Sequence, residues 1–261
     1  TLTFNVQRSI LATANTASLS IYNLGELTRR KIFHDLYDTT TFRGVILKAG
    51  YGNNIAEIFN GNMRQAWSTR QGTEWVTQID GFDGGWDIIN GFISETLPVG
   101  WDVQTVVRKI INKSFHHVTA GSLSLFADVS QRGIILHGNS WDTIKKLNPD
   151  GFTFIDMGKA HCLKLGEYIP YTGQIYKISA SQGLLDTPRR QQSNLMLRML
   201  FEPRIKVGTI VEVESLETVN NGQYQVIGVT HQGTISEAVC GECSTTIPLY
   251  LGAQQLTVAG T

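Results

Sequence analysis

Cys240 and Cys243, with Gly241 and Glu242 between them, have the spacing of half a zinc site or of a redox pair. A structural zinc site takes four ligands, usually from a second paired motif. The other candidates, His161-Cys162 and His231, supply neither a second CxxC nor an HxxxH. A redox pair opens a helix behind a strand, whereas this one lies between β segments. Turn cysteines are the expected reading, and metal binding at Cys240 and Cys243 stays open.

Asp80, Asp83 and Asp87 are the carboxylates grouped closely enough to suggest calcium binding or glycoside hydrolysis. The loop Asp80-Gly81-Phe82-Asp83-Gly84-Gly85 lacks the ligand ladder and terminal Glu of an EF-hand. Glycosidases need two carboxyl groups facing each other across a cleft, which spacing along a chain does not establish. Turn formation by Asp-Gly pairs accounts for these residues. His116 and His117 are adjacent at the end of a helix, so their rings diverge by about 100° and do not chelate together. The expected role is a favourable interaction with the helix dipole. Gly50-Tyr51-Gly52 and Gly81–Gly85 match neither phosphate-binding fingerprint, since both segments read on into loop or strand. No Gly-x-Ser-x-Gly is present. Trp67, Trp75, Trp86, Trp101 and Trp141 are expected as core or interface anchors rather than a sugar platform. No catalytic, cofactor or metal residue is assigned.

The elements carrying these residues are mostly strands. Thr3–Arg8 and Ala17–Tyr22 alternate apolar and polar, as half-buried strands do. Asn23 stands where an N-cap would precede a short helix ending near Phe33. Gly44–Tyr51 and Ala56–Phe59 lead to Asn60-Gly61, read as a tight turn, with strands at Met63–Ser68 and Glu74–Asp80 beyond it. Val103–Ser114 places Val103, Val106, Val107, Ile110 and Ile111 on one face, an amphipathic helix. A second helix spans Ser140–Leu147, with Ser140 as N-cap and Trp141, Ile144 and Leu147 as its stripe. Strands then surround turns at Met157-Gly158 and Leu165-Gly166. Further strands are read at Ile175–Ser179, Leu195–Phe201, Gly208–Glu214, Gln223–Gln232 and Thr245–Leu251, with a turn at Asn220-Asn221-Gly222. The run from the first glycine through Asn60-Gly61 to Gly72 has the same layout as Gly208 through Asn221-Gly222 to Gly233, which suggests a duplicated β unit.

The chain has 22 basic and 22 acidic residues, so its formal net charge is zero and it lacks the positive surplus of a nucleic-acid binder. A hydrophobic fraction of 41% supports a real core, and 26 Gly against 6 Pro favours a turn-rich β fold. No apolar run is long enough for a membrane helix. The N-terminus reads as a strand and not as a signal peptide. Three cysteines are too few for a disulfide framework and fit a reducing compartment.

Taken in order, several phrases resemble the baseplate hub family of contractile-tailed bacteriophages. That family includes the Mu-like hub proteins and, more distantly, the N-terminal part of the VgrG spike proteins. The phrases are Ile21-Tyr22-Asn23-Leu24, Ile46–Tyr51, Ile58-Phe59-Asn60-Gly61 and Glu74-Trp75 to Asp80-Gly81. Later come Ile178–Pro188, Leu200–Gly208, Asn221–Val226 and His231-Gln232-Gly233. After Gly233 the sequence departs from the family pattern. The resemblance implies an α+β, mainly β chain with two similar antiparallel tail-tube-like β-barrel domains and a helix-containing insertion. Residues 1–100, 101–170 and 171–261 are the expected divisions. It further implies a non-enzymatic virion protein, assembled in the host cytoplasm into a homotrimeric baseplate ring. Two barrels per subunit make that ring pseudo-sixfold, so it adapts a hexameric tail tube to a threefold central spike. The expected partners are copies of itself, the tail tube protein, the central spike protein, the tape measure protein and other baseplate proteins. A tail tube or initiator subunit is the nearest alternative. A cell-wall hydrolase using Asp80, Asp83 or Glu57, or a carbohydrate-binding module, are alternatives of other classes.

Overall fold

The structure, a computed structural model, describes residues 1–125, 129–170, 175–191, 193–236, 241–250 and the backbone of 257–258. The chain opens with β1 (Leu2–Ser9) and β2 (Thr16–Tyr22), then α1 (Glu26–Ile32). β3 (Gly44–Tyr51), β4 (Asn54–Gln71) and β5 (Glu74–Phe82) follow as an antiparallel meander. Alternation puts Phe4, Val6, Ala17 and Leu19 inward, where they pack with Leu47, Phe59 and Ile79 in one apolar cluster.

Three local readings are corrected here. Asn60-Gly61 is no turn but the middle of the 18-residue β4. A Cβ on Gly61 would lie 2.5 Å from the Phe82 carbonyl, so glycine serves close backbone approach. The reversals fall instead at Gly52 and Gly72, both at positive φ (54° and 61°). Asn23 does not cap α1. It is left-handed (φ 57°) and its Oδ1 accepts from the Trp75 N–H, while Gly25 precedes the helix without a side-chain bond. The duplicated layout also breaks down in detail, because Gly72 turns the chain whereas Gly233 lies inside a strand.

The middle of the chain contains α2 (Gly85–Asn90), β6 (Phe92–Leu97), α3 (Val103–Ser114), β7 (Thr119–Leu123) and β8 (Ile134–Asn139). α4 (Ser140–Leu147), β9 (Phe152–Asp156), β10 (Lys159–Leu163) and β11 (Glu167–Tyr168) complete it. α2 opens directly behind Gly84, where the sequence reads as loop or strand. α3 matches its reading residue for residue. Its face of Val106, Val107, Ile110 and Ile111 is buried against Ile93, Trp141 and Ile144, each such side chain contributing roughly 1.5–3 kcal/mol. The α4 N-cap is Asn139, whose Oδ1 accepts from the Asp142 N–H at 3.1 Å, and not Ser140. Met157 and Gly158 (φ 53° and 70°) form the two-residue turn joining β9 to β10.

The last third supplies β12 (Tyr176–Ser179), β13 (Arg189–Gln191), β14 (Asn194–Leu200) and β15 (Ile210–Glu214). β16 (Gly222–Val226), β17 (Gly228–Ile235), β18 (Ser244–Tyr250) and β19 (Thr257–Val258) follow. Gln223–Gln232, read as one strand, is two, separated at Ile227. The Ile227 N–H bonds the Pro248 carbonyl, and its own carbonyl accepts from the Ile10 N–H, so the chain changes neighbours there. Ile178, Leu195, Leu197, Val211, Val213 and Ile247 form the heart of a third apolar cluster.

Both β regions belong to one 12-stranded sheet, ordered β12-β15-β16-β18-β17-β1-β2-β5-β4-β3, with β14 and β13 branching from β18. The seam is β1, which pairs with β2 on one side and antiparallel with β17 on the other, Leu2 opposite Ile235. The fold is mainly β, with the helices concentrated in the middle. Each half of the curled sheet encloses its own core.

Candidate functional site

The residues singled out by chemistry are dispersed and engaged in structural bonding. Cys240 lies outside the described residues, and Cys243 contacts the Thr234 carbonyl through Sγ at 3.8 Å. Cys162 is buried and its thiol is pushed up to about 12 by that burial, which leaves it unreactive. The Nδ1 of His161 accepts from the Ser122 N–H at 3.0 Å, and burial lowers its pKa to about 4. Among the described residues no group of three His, Cys, Asp or Glu side chains could hold a metal ion.

The three aspartates do not converge. Asp80 lies on the sheet, accepting from Ser18 Oγ (2.8 Å) and Gln65 Nε2 (2.7 Å). Asp83 is buried and accepts from the Gly158 N–H at 3.0 Å. Asp87, also buried, accepts three successive backbone N–H groups, from His116, His117 and Val118, at 2.6–2.9 Å. Asp83 and Asp87 therefore do more than form turns, since they fasten the end of the first β region to the middle of the chain. Glu57 pairs in register with Lys48 across β3 and β4. The His117 ring is not devoted to the end of α3 but stacks on Phe42, with centroids 3.5 Å apart, and meets Trp86 edge-on.

The tryptophans occupy five separate settings. Trp141 is core, and Trp101 donates to the Arg132 carbonyl. Trp75 lies under the Arg29 guanidinium, Trp67 opposes Gln78 on the sheet, and Trp86 packs on His117.

A buried ion pair gave a weak signal in the sequence and was missed. Arg8 follows Phe4 and Val6 on the inward face of β1 and is only 3% exposed. Its guanidinium donates to both carboxylate oxygens of Asp156, Nε at 2.8 Å and Nη2 at 2.6 Å. Asn15 donates to the same carboxylate and to the Ile155 carbonyl. The legible hint was a charge at an inward position of an alternating strand.

The prominent exposed features are strand edges and apolar side chains. Among the described residues β3 ends the main path of the sheet on one side and β12 on the other, each hydrogen-bonded to one neighbouring strand, and β13 ends the branch from β18. An unpaired edge is a template for a further strand. Ile46 of β3 is 59% exposed, and Tyr51 and Ile55 are exposed at the β3–β4 turn. Around α1, Leu27, Phe33 and Tyr37 are exposed, the last at 88%. A groove of about 250 Å³ nearby is lined by Leu36, Met63, Phe82, Trp86 and Ile89 among others. Apolar surface of this kind marks contact sites.

No protein-family model matches the sequence, and no curated protein sequence matches it. Among solved structures the fold is shared with tail proteins. A tail protein from Neisseria meningitidis MC58 superposes with a TM-score of 0.64 at 9% identity, over 95% of this chain and 91% of that one. The 43 kDa tail protein of prophage MuSo2 from Shewanella oneidensis gives 0.61 at 8% identity, with the same coverages. An E. coli component of the type VI secretion system, described as structurally similar to the T4 bacteriophage tail proteins gp27 and gp5, gives 0.64 at 10% identity. That match covers all of this chain and 76% of the other. The chain thus has the fold of phage tail proteins and of a type VI secretion component, as the sequence resemblance implies.

Proposed function

We propose that this chain is a non-enzymatic structural protein of a phage tail baseplate, the hub subunit that joins the tail tube to the central spike. The observation that carries the reading is a fold shared with tail proteins along nearly the whole length of both chains. In this reading, regions 1–100 and 171–261 are the two tube-like β units and 101–170 is the insertion between them. Three copies form a ring whose sheet edges, β3 and β12, meet neighbouring copies. Its faces receive the tube, spike, tape measure and other baseplate proteins. The protein is a virion component that assembles in the host cytoplasm. Two different terminal strands, at opposite ends of the sheet's main path among the described residues, suit head-to-tail contacts that close into a ring. Zero net charge and exposed apolar residues suit assembly through packed surfaces.

The test is the mass in solution by light scattering across a concentration series, followed by imaging of the particles. A trimer forming a ring is the expected result. A hexameric ring would assign the chain to the tube instead. A chain that stays monomeric and joins neither purified tube nor spike would overturn the assembly role.

A further inference from the structure

The ion pair of Arg8 and Asp156 belongs to a larger cluster with an unbalanced charge. Both hydrogen bonds from the guanidinium go to Asp156, and the Asn15 amide adds a third to the same carboxylate. Asp83, which is 1% exposed, receives the Gly158 N–H and, among the described residues, no ion pair from a cation. One guanidinium thus serves two enclosed carboxyl groups, and two carboxylates sharing one site do not both ionise readily. The cluster also spans the molecule. Arg8 is on the seam strand, Asn15 on the β1–β2 connection, Asp83 at the end of β5, and Asp156 and Gly158 at the β9–β10 turn. The Asp83 N–H bonds the Asn15 carbonyl, which closes the circuit.

We propose that this cluster is a proton-locked joint between the first β region and the middle of the chain, closed by a proton on Asp83 and loosened when that proton leaves. The carboxyl of Asp83 is pushed up to about 7, first by burial and then by Asp156, with the Gly158 and Met157 N–H groups and Arg8 pulling the other way. The groups facing it are Arg8 from β1, Asp156 from β9, and Asp87 and His117, which line a cavity of about 40 Å³ beside it. β4 contributes the uncharged Asn60, Gly61 and Asn62 to that cavity. Opening the joint exposes Asp83 to water, where its pKa returns to about 3.9. Between about pH 4 and pH 7, opening therefore releases a proton, and the opening constant rises about ten-fold per pH unit before levelling off.

Hydrogen exchange of the Asp83 and Gly158 amides in the full-length protein reads this directly, after correction for the intrinsic pH dependence of exchange. Protection of these two amides should fall about ten-fold per unit between pH 5 and pH 6.5 and level above pH 7. Amides of α3 should not show that step. In Asp83→Asn, which keeps an acceptor for Gly158, the step should vanish. Flat protection in the wild type, or an unchanged step in the variant, would overturn the joint. If the variant does not fold, the wild-type profile alone decides.

Discussion

Arg8 and Asp156 are the side chains on which local stability most depends, because each neutralises the other where water is excluded. Removing one partner of such a pair leaves an uncompensated charge and costs about 3–5 kcal/mol. Arg8→Met should show a loss of that size in urea denaturation at pH 7. Converting Arg8 and Asp156 together to apolar residues of similar volume should recover much of it. His161 and His231, both buried, weaken the fold toward acid. Burial, followed for His231 by the nearby Arg8, lowers their pKa to about 4 for His161 and about 3 for His231. Below about pH 6.5 the unfolded chain takes up protons at these two rings that the folded chain does not, so their contribution to stability falls as the pH drops toward 4, against the opposite contribution of the Asp83 proton. Above pH 6.5 both states are neutral at these rings and the effect is constant. His231→Gln should lose roughly 3 kcal/mol less than wild type between pH 7 and pH 4, measured by urea denaturation at each pH.

At the scale of elements, two carboxylates hold α3 at its ends. The Asp102 side chain accepts from the Thr105 N–H at 2.8 Å as N-cap, and its pKa is lowered chiefly by that bond. Asp102→Ala should cost about 1 kcal/mol. Asp87 collects the three N–H groups just past the helix, and Asp87→Ala would leave the buried Val118 N–H and the part-buried His116 and His117 N–H groups without their acceptor. A loss of about 3 kcal/mol is expected, and the larger drop in melting temperature for Asp87→Ala than for Asp102→Ala checks the ordering. The helix itself was legible because five apolar residues recur at helical spacing without a breaker. β4 was not, because Asn60-Gly61 has the chemistry of a turn. There the glycine is required by the Phe82 backbone, contributed by a strand some twenty residues later.

For the whole molecule, the sheet is continuous through β1, so the two β regions share hydrogen bonds and are more than neighbours on a string. That continuity leaves β3 and β12 as the ends of the main path among the described residues. Ile46→Lys adds a charge to the exposed face of β3 and should leave monomer stability within about 0.5 kcal/mol while weakening self-association. Light scattering alongside urea denaturation separates the two effects. Equal association of the variant and the wild type would remove β3 from the contact.

Strands with period-two alternation, the two amphipathic helices and the Met157-Gly158 turn follow from the sequence alone. Each depends on residues within about a dozen positions of one another, and local spacing carries that information. The phrases resembling hub proteins likewise pointed to the tail-protein fold that the structure shares. Tertiary structure alone decided the rest. Arg8 finds Asp156 across 148 positions, β1 finds β17, and Asp83 and Asp87 become buried acceptors instead of turn residues. Pairing at that distance depends on how the sheet curls and which surfaces exclude water, and no local pattern encodes either.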